Sequence, residues 1–86
     1  MSDWTWDYNP SEEYITGGLP PGAVAEIERL ATELAALGPD SVRVGRPVDR
    51  EGGLREFDLL GGRGFISFLA VPRHECVYVC NVTWYG

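Results

Sequence analysis

The chain has 86 residues, 44% of them hydrophobic and 12% aromatic, enough apolar content for one core and too little length for two. That composition argues against a disordered chain, and no run approaches the ~20 apolar residues of a membrane-spanning helix. A formal net charge of −6 sets the molecule as a whole against a phosphate backbone. The charge is uneven: residues 1–40 hold eight acidic side chains and one Arg, whereas residues 41–86 hold five acids and six Arg. There is no Lys, so any cationic patch is built from Arg. No basic segment leads into an apolar stretch near Met1, and the expectation is a single soluble, cytoplasmic domain over residues 1–86.

In chain order, Trp4-Thr5-Trp6-Asp7-Tyr8 alternates aromatic with polar residues, the period of a half-buried strand. Trp4, Trp6 and Tyr8 then share one face, where packing against a helix accounts for them better than base stacking does. Asn9-Pro10 ends the strand, Ser11 is placed to cap a short helical turn over Glu12-Glu13-Tyr14, and Gly17-Gly18 breaks it. Pro20 and Pro21 suit the first turn of a longer helix. In it Val24, Ile27, Leu30, Ala31, Leu34 and Leu37 recur at spacings of three and four as one apolar stripe. Gly38-Pro39 stops this helix.

Asp40 to Gly53 is polar and turn-rich, with room for a short edge strand at Val42 and Val44. Three strands follow at about 54–60, 64–71 and 76–84, joined by Gly61-Gly62-Arg63-Gly64 and Pro72-Arg73-His74-Glu75 as hairpin turns. In the last strand, strict alternation puts Cys76, Tyr78, Cys80, Val82 and Trp84 on one face and Val77, Val79, Asn81, Thr83 and Tyr85 on the other. The sum is an α+β fold with an antiparallel sheet and a helix on one face.

Cys76 and Cys80 stand four apart in one strand, roughly 13 Å between Cα atoms at ~3.3 Å per residue. A disulfide requires about 7 Å or less, so both read as reduced, small hydrophobes. Two cysteines and the lone His74 make no familiar metal site, and no cofactor is expected.

From Trp6 to Tyr85 the order of these pieces resembles the RelE/ParE superfamily of small toxins. The residues that carry the likeness are Leu19-Pro20-Pro21 at the helix start, Gly53-Leu54-Arg55-Glu56-Phe57, the Gly-rich turn and the apolar hairpin after it. The resemblance implies a small twisted antiparallel β-sheet packed against one or two N-terminal helices. RelE-like members cut messenger RNA in the ribosomal A site, ParE-like members inhibit DNA gyrase, and both are restrained by an antitoxin that wraps over the toxin.

Metal-free RNA cleavage needs a base for the 2′-hydroxyl, cations at the phosphate and an acid for the leaving oxygen. The resemblance places Arg55 and Arg63 at the phosphate and Tyr85 as the base or hydroxyl donor, with His74 auxiliary. Ile66 stands where the family usually carries a strand Arg, and Trp84-Tyr85 where a His-Tyr pair often stands. Arg43, Arg46 and Arg50 form an interrupted basic loop. They read either as a solvated loop paired with Asp49 and Glu51 or as a nucleic-acid contact. The first functional expectation is therefore the toxin of a toxin–antitoxin pair, a ribosome-dependent mRNA endonuclease with antitoxin, ribosome and mRNA as partners. The alternative is a non-catalytic interaction module on the same scaffold, a gyrase-inhibitor-like or degenerate toxin that binds a protein. A homo-oligomer through an edge strand is compatible with either.

Overall fold

The computed structural model describes residues 3–48 and 53–86. Strand β1 spans Thr5–Tyr8, and its alternation turns Trp6 and Tyr8 toward the core. Helix α1, Glu12–Thr16, starts where the Ser11 hydroxyl accepts a hydrogen bond from the Tyr14 N–H at 3.2 Å. Helix α2, Pro21–Leu37, begins with extended Pro20 as its cap and Pro21 in its first turn. It ends at Gly38, whose positive φ of 60° glycine takes without strain. The buried stripe of α2 is Ala23, Ile27, Leu30, Ala31, Leu34 and Ala35. It is rotated slightly from the expected one: Val24 is half-buried and Leu37 is 45% exposed. Small side chains at positions 23, 31 and 35 let the helix lie close to the sheet, and close approach decides which side is buried.

After α2 the chain continues as a 3₁₀ turn over Gly38–Arg43, so the edge strand expected at Val42 and Val44 is absent there. The strand instead forms one step later as β2, Arg46–Pro47. Of the two valines, Val42 is exposed and Val44 packs on the core. Strands β3 (Arg55–Leu59), β4 (Gly64–Val71) and β5 (Cys76–Trp84) follow within a residue of their expected bounds.

The sheet has the order β1-β5-β4-β3-β2 and is mixed. Strands β2 to β5 pair antiparallel, but β1 lies parallel to β5, with Thr5 beside Cys76 and Tyr8 beside Val79. This corrects the expectation of a wholly antiparallel sheet. Helix α2 runs back along β1, with Glu28 near Tyr8 and Ala35 near Trp4. The chain then enters the far edge of the sheet, and successive hairpins bring β5 back in the direction of β1. Hydrophobic alternation encodes which face a strand buries and carries nothing about its direction.

A second correction concerns β5. Ser67 pairs with Asn81 but Phe68 pairs with Val79, so Cys80 is an extra residue, a β-bulge. It shifts the alternation by one. Val77 and Val79 before it, and Val82 and Trp84 after it, all pack on the helix side. The core joins these to Tyr8, Ile15, Ile27, Leu30, Leu34, Leu59, Ile66 and Phe68. Each fully buried member, such as Ile27 or Phe68, contributes about 1.5–3 kcal/mol of burial free energy. The opposite face of the sheet is covered by no helix among the described residues and carries Glu56, Asp58, Phe65, Ser67, Leu69 and Tyr78. No described helix is long and apolar enough to cross a membrane, and both cysteines are free.

Candidate functional site

The expected site residues that the structure describes fall into separate places. At one end of the sheet the β3–β4 turn holds Arg63 against the end of β5. The Tyr85 N–H donates to the Arg63 carbonyl at 2.9 Å, and Arg63 Nε donates to the Gly86 carbonyl at 3.3 Å. The guanidinium carbon lies 5.4 Å from the Trp84 ring centroid, a cation–π distance. Tyr85 is 69% exposed, its ring 6.4 Å from that of Phe65. The turn that makes this corner runs through Leu60, Gly61 and Gly62, all at positive φ, which the two glycines accept freely. Gly64 allows the approach of β5, because a Cβ there would stand 2.4 Å from the Thr83 carbonyl oxygen.

Arg55 lies at the far end of β3 and turns to the helix side, opposite Phe68. Its guanidinium closes on the loop after α2: Nε donates to the Val44 carbonyl, and Nη2 donates to Gly45 at 2.8 Å and to Arg43 at 3.4 Å. Phe68 and Gly64, the β4 partners at the two ends, are four residues apart, so about 13 Å of strand separates Arg55 from the Arg63 corner. Arg55 acts here as a clamp on backbone oxygens. The structure does not bring it to Arg63 and Tyr85.

Arg46 pairs across β2 and β3 with Glu56 and Asp58, at 3.2 and 2.9 Å from Nη2. The hydrogen bond Arg46 donates to Asp58, then the one it donates to Glu56, raises its pKa and keeps it charged within the cluster. Arg43 sits in the 3₁₀ turn, and Arg50, with Asp49 and Glu51, lies outside the described residues. Among the described residues of the expected basic loop, Arg46 is thus paired across the sheet edge with Glu56 and Asp58.

His74 occupies the β4–β5 turn, where Glu75 adopts a left-handed conformation. Its Nδ1 is 2.8 Å from the Tyr78 hydroxyl, with the rings edge to face at 5.9 Å. Burial first, then the neighbouring Cys76 and Asp7, raises the Tyr78 pKa, so this phenol stays protonated. Tyr78 is the polar residue that sequence reasoning passed over. Its signal was available: it stands four residues after the lone His, on the face left open by the helices. From Cys76 to Trp84, β5 spans eight steps, about 26 Å, and it separates the His74–Tyr78 pair from Tyr85.

A groove of about 420 Å³ opens elsewhere, between β1 and α2, lined by Trp4, Thr5, Trp6, Thr32, Ala35 and Ala36. Its floor is apolar, and no group of three His, Cys, Asp or Glu among the described residues is placed to hold a metal ion. In chemical terms, the Arg63–Tyr85 corner presents one cation and one phenol, the His74–Tyr78 pair one hydrogen-bonded imidazole, and the groove a hydrophobic contact surface. Compared with protein-family models, curated proteins and solved structures, the chain gives no match.

Proposed function

We propose that this protein is a non-catalytic interaction module on a RelE/ParE-like scaffold, acting by binding a protein partner. The observation that carries this reading is the dispersal of the residues an mRNA endonuclease would need. Phosphate-transfer catalysis depends on donors and proton carriers within about 3 Å of one reacting centre. Here Arg55 is engaged with the carbonyls of Val44 and Gly45, and His74 and Tyr85 stand at opposite ends of β5. The net charge of −6 adds a general repulsion toward RNA. Under this reading the partners are protein surfaces, with an antitoxin as one of them and gyrase or a similar enzyme as a target class.

The Arg63–Tyr85 contact favours a second reading, a ribosome-dependent endonuclease with a reduced site. Purified protein incubated with mRNA-programmed ribosomes decides between the two. The module leaves the message intact, whether or not induced expression arrests growth. Cleavage in the A site that disappears in Tyr85→Phe or Arg63→Ala would replace the first reading with the second.

A further inference from the structure

Strand β1 is an edge of the sheet. Its inner side is spent on β5: the Thr5 N–H donates to the Glu75 carbonyl and the Asn9 N–H to the Val79 carbonyl, each at 3.0 Å. Alternation along a parallel strand then points the backbone groups of Trp6 and Tyr8 outward. The Tyr8 N–H is already taken by Asp7 Oδ1 at 2.8 Å. The outward amide and carbonyl of Trp6 remain, directly beside the groove that Trp4 and Trp6 line with Ala35 and Ala36 of α2. An open backbone edge beside an apolar slot is the arrangement that accepts an added strand, with hydrogen bonds giving affinity and the slot giving selectivity.

Charge narrows the occupant. Over residues 3–40 the side-chain charges are Asp3, Asp7, Glu12, Glu13, Glu26, Glu28, Glu33 and Asp40 against Arg29 alone. The Arg29 guanidinium is held by Glu26 and Glu33 on its own helix. The Glu28 carboxylate lies one turn before Thr32 and accepts from the Tyr8 hydroxyl, which puts a negative charge at the rim. A second copy of this chain would bring the same acidic surface to the edge and be repelled, as would a nucleic acid.

We propose that the β1 edge and the Trp4–Trp6–Ala35–Ala36 groove form a docking site for an extended, basic segment of a partner protein. The segment adds as a strand beside β1, bonds the Trp6 backbone, seats one apolar side chain in the groove and directs Lys or Arg at the acidic rim. This deepens the interaction-module reading and rests on it for the presence of a protein partner.

The test is selection of a random-peptide phage library on the immobilised full chain, followed by NMR titration of the selected peptides. Enrichment of peptides alternating apolar residues with Lys or Arg is expected, with shifts at the Trp6 amide and the Trp4 and Trp6 indoles. Ala36→Arg, at an exposed helix position, should weaken them about tenfold or more by filling the groove and adding a like charge. Thr32→Arg serves as a second variant should the first alter the spectrum of the free protein. Enrichment of acidic peptides, no enrichment, shifts confined to the Tyr78 face, or a β1-mediated dimer would each overturn the proposal. Basic peptides that bind the groove while the protein cuts mRNA would leave the docking site standing and remove the non-catalytic reading. An intact message with no peptide enrichment would remove the docking site alone.

Discussion

Nη2 of Arg55 stands 2.8 Å from the carbonyl oxygen of Gly45, across the gap between β3 and the loop that leads into β2. The same guanidinium reaches the Val44 carbonyl, so one side chain satisfies backbone acceptors of a segment that has little other regular pairing. Gly45 in turn sits at φ +78° with its Cα against Glu56, where a Cβ would lie 2.5 Å from the carbonyl oxygen. Arg55→Ala should therefore lower the unfolding free energy by about 1.5–3 kcal/mol, the range for hydrogen bonds that involve a charged group. Arg55→Lys should recover only part, because a compact ammonium lacks the planar fork that spans neighbouring acceptors. Urea denaturation measures both. An unchanged midpoint in Arg55→Ala would mean the clamp is idle and the side chain is available to a ligand.

The bulge at Cys80 makes a different kind of prediction. Deleting Cys80 removes the extra residue and lets Asn81 follow Val79 in continuous register against Phe68 and Ser67, so Val82 and Trp84 keep the helix side. Near-UV circular dichroism of the deletion variant should retain the fixed Trp84 environment. Cys80→Ala keeps the residue count and should retain the folded spectrum as well. Loss of the Trp84 signal in the deletion alone would show that β5 needs the bulge to pair with β4.

Much of this fold is legible from the residues. The Pro20-Pro21 start, the Ser11 cap, the Gly38 stop and the bounds of β4 and β5 follow from local chemistry that operates within a few residues. The inward aromatic face of β1 follows from simple alternation. What escaped reading depends on relations between distant segments. The parallel pairing of β1 with β5 is set by the path of α2, and the bulge by the register against Ser67 and Phe68. The fate of Arg55 was hidden for the same reason: its acceptors lie ten to twelve residues upstream. As for the candidate site, the closeness of Arg63 to Tyr85 was within reach of the hairpin pattern. The groove at Ala35 and Ala36 was not, because alanines on a helix signal a close approach only when the opposing surface is known.

Glycines supply a pair of opposite outcomes. Gly64 faces Trp84 across β4 and β5, and a Cβ there would meet the Thr83 carbonyl at 2.4 Å and the Trp84 ring at 3.1 Å. The carbonyl belongs to a paired strand and cannot withdraw, so Gly64→Ala should cost about 1–3 kcal/mol, as overpacking does. Gly22, in the first turn of α2, has open space where its Cβ would go. Gly22→Ala should stabilise by about 0.5 kcal/mol through helix propensity. Thermal unfolding of the two variants beside wild type checks both signs, and a neutral Gly64→Ala would mean that the Arg63–Tyr85 corner is loosely held.

The Tyr8 hydroxyl donates to Glu28 Oε2 at 3.1 Å, joining β1 to α2. Burial first, and then the Glu28 charge, raises the Tyr8 pKa well above the usual phenol range. The folded protein therefore keeps a proton that the unfolded chain releases near pH ~10. The linked stability is fully present below that pH and drains away as pH rises toward the folded pKa. Wild-type melting temperature should fall steeply above pH ~10, and the fall should be shallower in Tyr8→Phe, which has no proton to lose. At neutral pH the substitution should change stability by no more than about 1 kcal/mol, since one hydrogen bond is lost and half-buried Glu28 can turn to water. Parallel alkaline curves for the two proteins would assign the effect instead to Tyr78 and Cys80, whose pKa values burial also raises.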